Sequence, residues 1–162
     1  MNKKRNAVLA CVFLSILKSF AGSPVAIKEN FNGHGYEYVT TPQLWEDAKK
    51  SAEQSGGYLV CISSAEENRF LIQLIMKAND GEGPRTWIGL TDNAMESDWK
   101  WLNGEPVSFT CWFNGEPNNC GGGENRVVLE KRDQEIQWND VSSDCRNYYI
   151  IEYTNAISSV KK

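Results

Sequence analysis

The chain has 162 residues, a formal charge of −4 at pH 7, five cysteines and one histidine. That length suits one domain with its own core. An acidic chain without a basic cluster is a poor partner for nucleic acid or an anionic membrane surface, and with His34 as its lone histidine no Ser-His-Asp set and no Cys-His pair stands out.

At the start of the chain Lys3, Lys4 and Arg5 precede an apolar run from Ala7 to Leu17, and Ser19-Phe20-Ala21 offers small residues for cleavage. Residues 1–21 therefore read as a secretory signal peptide, too short to be a membrane span. Its removal takes Lys3, Lys4, Arg5 and Lys18 and no acid, moving the formal charge from −4 to −8. The expectation is a secreted, extracellular protein with no membrane insertion. Cys11 leaves with the leader. Cys61, Cys111, Cys120 and Cys145 remain, an even number in an oxidising setting, with three possible connectivities.

Residues 22–33 read as a polar lead-in ending in the turn pair Asn32-Gly33, residues 34–153 as the domain, and 154–162 as a tail. Tyr36 to Val39 alternates like a short strand. Thr41 and Pro42 suggest a helix start, with Thr41 as N-cap and Pro42 in the first turn. Leu44, Trp45, Ala48 and Ala52 then fall at helical spacing until Gly56-Gly57. Tyr58 to Ile62 reads as a strand. Ser64 with Glu67 three residues on is a capping box for a helix whose apolar side carries Phe70, Leu71, Leu74 and Ile75. Strands are expected at Thr86–Leu90, around Trp99 and Trp101, at Val127–Leu129, at Ile136–Trp138 and at Tyr148–Tyr153. From Glu105 to Asn125 the chain is rich in Gly, Pro and Asn with little periodicity, a loop too long to be a mere connection. The fold class is α+β: two helices, short antiparallel strands and one long loop. The tryptophans are expected in the core, and His34 in an exposed turn.

The long loop carries the chemistry. Glu116, Asn118 and Glu124 lie within it, and Asn139 and Asp140 follow Trp138. Together they offer five side-chain oxygens, and the Asp140 backbone offers another. Ca²⁺ takes six to eight such oxygens, and the absence of Cys and His from the set argues against zinc. Polar residues in a Gly-rich loop are commonly just solvated turn residues; here the joint spacing favours a metal site.

The series Leu59-Val60, Ser64-Ala65-Glu66-Glu67-Asn68, Trp87-Ile88-Gly89-Leu90, Glu116-Pro117-Asn118, Glu124 and Trp138-Asn139-Asp140 resembles a C-type lectin domain over residues 34–153. The resemblance implies that Glu116, Asn118, Glu124, Asn139 and Asp140 ligate Ca²⁺ and also hydrogen-bond two neighbouring sugar hydroxyls. It implies a cis Pro117 and the Glu-Pro-Asn specificity class of mannose, glucose, N-acetylglucosamine and fucose. A second, weaker Ca²⁺ site would map to Asp92, Glu96, Asn119 and Asn125, with Glu124 shared; Asn119 and Asn125 are neutral where the best-known mannose-binding members are acidic. Acidification would protonate the carboxylate ligands and release ion and sugar together.

Departures from the family pattern concern the cysteines. Ala52 and Ile151 occupy the places of its long-range disulfide, and Arg126 replaces the partner of Cys145. Cys111 and Cys120 flank the Glu-Pro-Asn segment, so a bridge between them is the expected pairing, with Cys120–Cys145 competing and Cys61 a buried thiol. The implied function is a secreted, Ca²⁺-dependent lectin for glycans or glycoconjugates, in which weak single-site affinity would gain from multivalency or an oligomer. The alternative is an adhesion module that binds a protein ligand without sugar. Catalysis is not expected: Glu116 and Glu124 could be imagined as a glycosidase pair, but neither is free to act as a general acid if both bind the ion.

Overall fold

The computed structural model describes residues 26–158; the expected leader, residues 1–21, lies outside them. The elements in chain order are β1 (Ile27–Phe31), β2 (His34–Gln43), α1 (Trp45–Gln54), β3 (Tyr58–Leu59), α2 (Ala65–Ala78), β4 (Thr86–Thr91), β5 (Lys100–Trp101), β6 (Arg126–Arg132), β7 (Glu135–Val141) and β8 (Asn147–Tyr153). One sheet runs β1-β2-β8-β4-β6-β7, with β3 paired to β8 and β5 to β4. The β4–β8 ladder is parallel, and every other strand ladder is antiparallel. This is the α+β architecture expected from the sequence. Among the described residues no helix is long and apolar enough to cross a membrane.

Period-2 alternation sends each central strand to two cores. In β6, Val127 and Leu129 join the cluster of Leu71, Leu74 and Ile75 from α2, whereas Val128 joins that of Trp45, Ala48 and Ala52 from α1. β8 divides the same way, with Ile150 on the α2 side and Tyr149 and Ile151 on the α1 side. Gly89 in β4 lets the β3 backbone come close: a Cβ there would lie 2.4 Å from the Leu59 carbonyl oxygen.

Two helix starts were expected from capping residues, and they fared differently. Ser64 caps α2, its hydroxyl accepting the Glu67 N–H at 3.2 Å. Thr41 does not cap α1. The strand β2 continues through Thr41 and Pro42 to Gln43, and Leu44 holds the cap position in an extended conformation with no side-chain cap. Pro42 lies where the β2–β8 register shifts between Val39 and Gln43, so its missing N–H interrupts no regular ladder. Glu46 and Asp47 in the first turn complement the helix dipole instead.

The lead-in and the histidine also read differently in three dimensions. Residues 27–31, expected only as part of a polar lead-in, form β1 and pair with β2 across the Asn32-Gly33 turn. His34 opens β2 rather than lying in an exposed turn, and its Nδ1 is 2.6 Å from Oε1 of the buried Glu152.

Candidate metal and ligand site

Trp138 positions the site. The residue is fully buried in β7, directly before Asn139 and Asp140, and its indole N–H donates to Asn68 of α2 at 3.0 Å. Its own backbone suspends the long loop: its N–H donates to the Cys111 carbonyl at 2.7 Å, and its carbonyl accepts the Phe113 N–H at 3.0 Å. The rings of Trp101, Phe109 and Trp112 meet it edge-on at 5.6–5.7 Å. An irregular segment is thus pinned, just before Glu116, to the strand that carries the later candidate ligands, Asn139 and Asp140.

The Glu116–Pro117 bond is cis. Beyond it the loop is latched by Asp140, which is 1% exposed. One Asp140 oxygen accepts the Asn118 N–H at 3.1 Å and the other the Asn119 N–H at 2.7 Å. Glu124 accepts the Cys120 N–H at 2.6 Å. Asn119, whose φ is +45°, organises the Gly121–Gly123 turn: its side-chain oxygen accepts the N–H groups of Gly123 (2.6 Å) and Glu124 (3.0 Å).

Glu116 and Asn139 are held by residues that the sequence reading did not single out. Arg132 donates to Glu116 Oε1 at 2.9 Å, and Glu116 Oε2 is buried with no hydrogen-bond partner. Asn139 donates its amide to Glu130 Oε2 at 2.8 Å. Glu130 in turn accepts two bonds from Arg85, at 3.0 and 2.6 Å. A faint signal was available: Glu130 and Arg132 follow the apolar run of β6 at alternate positions, on the face that carries Asn139 through the Val128–Asn139 pair.

The carboxylates of this region sit in contrasting surroundings. Burial raises the Glu124 carboxyl above the usual range, and repulsion from Asp140 and Glu116 adds to it, opposed by the Cys120 N–H and the Arg85 charge. Burial by itself would raise Glu130, but Arg85, the Asn139 amide and Arg132 outweigh it and hold that carboxyl below the usual range. Among the described residues no three Asp, Glu, His or Cys side chains gather closely enough to hold a metal alone, so amide and backbone oxygens must complete any coordination shell. Glu116, Asn118, Glu124, Asn139 and Asp140 offer carboxylate and amide oxygens, and the buried, unpartnered Glu116 Oε2 is the kind of atom a hard cation takes.

The weaker second set is mixed. Asp92 is 1% exposed with Oδ1 unpartnered, and Asn125 Oδ1 is buried and unpartnered too. Glu96 instead accepts the Asn119 amide at 2.6 Å, which engages Asn119 at both ends of its side chain.

The disulfide expectation is corrected. All four described cysteines are unbridged. Cys111 lies half-buried against the core with its carbonyl tied to Trp138, whereas Cys120 is exposed at the far side of the cis turn. Cys145 is exposed and also unbridged; Cys61 is buried as expected, and burial pushes its thiol far up. Ala52 and Ile151 are buried in one apolar cluster where the family pattern has a bridge. Arg126 is buried, its guanidinium 4.4 Å over the Trp45 ring and 2.8 Å from Glu46.

The chain belongs to the Lectin C-type domain family, which it matches over residues 41–152. It is 34% identical over 126 residues to the hepatic lectin of Gallus gallus, covering 76% of this chain and 56% of that protein. The mouse scavenger receptor C-type lectin carbohydrate-recognition domain superposes with a TM-score of 0.71 at 34% identity, covering 81% of this chain and 95% of that one. The C-type carbohydrate-recognition domain of cow CD23, determined in the presence of a GlcNAc2Man3 oligosaccharide, superposes with a TM-score of 0.70 at 27% identity over the same shares. The chain spans 30% to 56% of the length of three full-length relatives. Relatives of this kind are lectins and receptors, not enzymes, and domains of the family generally bind Ca²⁺.

Proposed function

We propose that this chain is an exported, Ca²⁺-dependent lectin for glycans bearing mannose, glucose, N-acetylglucosamine or fucose. The observation that carries the reading is Glu116 Oε2, a buried carboxylate oxygen with no partner in an oxygen-only donor set. Glu116, Asn118, Glu124, Asn139 and Asp140 would hold the ion. Bound Ca²⁺ supplies coordination positions for two adjacent sugar hydroxyls. The carboxylates accept the protons of those hydroxyls, while the Asn118 and Asn139 amides donate to their lone pairs. Asp140 keeps the Glu-Pro-Asn segment in register with β7 by holding the Asn118 and Asn119 N–H groups. Export rests on the leader pattern of residues 1–21. The second reading, an adhesion module for a protein ligand, draws on the receptor domains among the relatives.

The test is chromatography of the mature protein on immobilised mannose in millimolar Ca²⁺. Retention, release by EDTA or free mannose, and loss of retention in Glu116→Ala are the expected results. Passage straight through, with a calorimetric Ca²⁺ signal intact, removes the mannose assignment and favours the protein-binding reading.

A further inference from the structure

Two candidate ligands, Glu116 from the loop and Asn139 from β7, are joined through a pair of side chains that the ligand set does not include. Arg132 bridges Glu116 Oε1 (2.9 Å) and Glu130 Oε2 (3.3 Å), and its guanidinium lies 4.3 Å over the Phe113 ring. Glu130 Oε2 also receives the Asn139 amide, while Arg85 occupies Oε1. Glu130 is thereby fixed from three directions, with a side-chain exposure of 13%.

Each contact selects one orientation of a ligand. The Glu116 side chain is 7% exposed, and with Oε1 engaged by Arg132 only Oε2 is left unpartnered. A primary amide can turn over at little steric cost, exchanging its oxygen and nitrogen. The bond from Asn139 Nδ2 to Glu130 fixes which end is which, leaving Oδ1 as the acceptor available on the opposite side. Outer partners of this sort set ligand orientation, and their loss typically weakens metal binding by about 10–100-fold.

We propose that Glu130 and Arg132 are positioning residues of the ion site, holding Glu116 and Asn139 in their binding orientations without joining the ligand set. The inference rests on the calcium reading above. It also makes a prediction that charge alone does not. By simple Coulomb attraction, removing the Arg132 cation would tighten the binding of a divalent cation, whereas removing the Glu130 anion would weaken it. Positioning requires both to weaken it.

The experiment is calorimetric titration of the mature protein with Ca²⁺, comparing the unmodified chain with Arg132→Met and Glu130→Leu. Melting in EDTA reports whether each variant is folded. Methionine keeps apolar contact with Phe113 while removing the charge, and Arg132 is 41% exposed, so that variant should melt close to the unmodified chain. The expected result is Ca²⁺ affinity about tenfold weaker or more in both variants. Unchanged or tighter binding in a folded Arg132→Met overturns the positioning role and leaves the calcium reading standing. Absence of any Ca²⁺ heat in the unmodified chain overturns both. Should Glu130→Leu fail to fold, Glu130→Gln replaces it; Gln keeps an acceptor for Asn139 but gives up the Arg132 and Arg85 ion pairs, and should still weaken binding.

Discussion

Glu152 is an acid that the fold buries near the C-terminal end of β8, facing His34. Burial raises its carboxyl above the usual range, although the Cys61 N–H and His34 both favour the charged form. A raised pKa in the folded state means that folding takes up a proton over the interval between the two values. The stability it contributes is therefore complete below the ordinary Glu value, about 4.3, and is lost as pH rises through the raised one. Urea titrations from about pH 4 upward should show this decline, and Glu152→Gln should flatten it. An unchanged slope in the variant would show that other groups govern the pH dependence. The candidate ligands differ from Glu152 in being legible along the chain. Glu116, Asn118, Glu124, Asn139 and Asp140 stand in a spacing that is readable along the chain. Glu130 and Arg132 matter only through β6–β7 register and a loop that returns over it.

At the level of elements, β7 and the long loop behave as one unit because Trp138 serves both. Its backbone bonds to Cys111 and Phe113, and its ring closes a group of aromatic side chains. Trp138→Ala should cost about 3–5 kcal/mol of folding stability, as large aromatic truncations in a core do. It should also speed hydrogen exchange at the Phe113 amide more than at the α2 amides. A loss well under about 1 kcal/mol on that scale would mean that the loop is held elsewhere. The two helices show the limits of local signals. Ser64 and Glu67 form a cap from neighbouring residues, so their pattern is visible in the chain itself. Thr41-Pro42 has the same local appearance, but pairing of β2 with β8 extends the strand past it.

At the level of the whole molecule, a sheet with apolar faces on both sides lies between α1 and α2, and it needs no bridge to close. Ala52 with Ile151, and Arg126 with Trp45 and Glu46, fill the places where the family pattern has disulfides. A native disulfide is worth about 2–5 kcal/mol, enough to move the melting temperature of a domain this size by roughly 5 °C or more. Melting with and without dithiothreitol should therefore coincide, and a fall of that size under reductant would reveal a bridge.

The sequence by itself determined the α+β class, the α2 cap, the apolar spacing of the two helices, and the order of the polar residues that mark the candidate site. These are period and spacing signals, carried by residues near one another in the chain. Tertiary structure decided what long-range pairing decides: that β1 joins the sheet, that β2 runs through Pro42, that Asp140 latches the loop 22 residues earlier, and that Arg132 and Glu130 grip two of the candidate ligands. It also left the four described cysteines unbridged. Whether two thiols meet depends on which way each faces, and in this chain the loop turns Cys111 toward the core and Cys120 toward solvent.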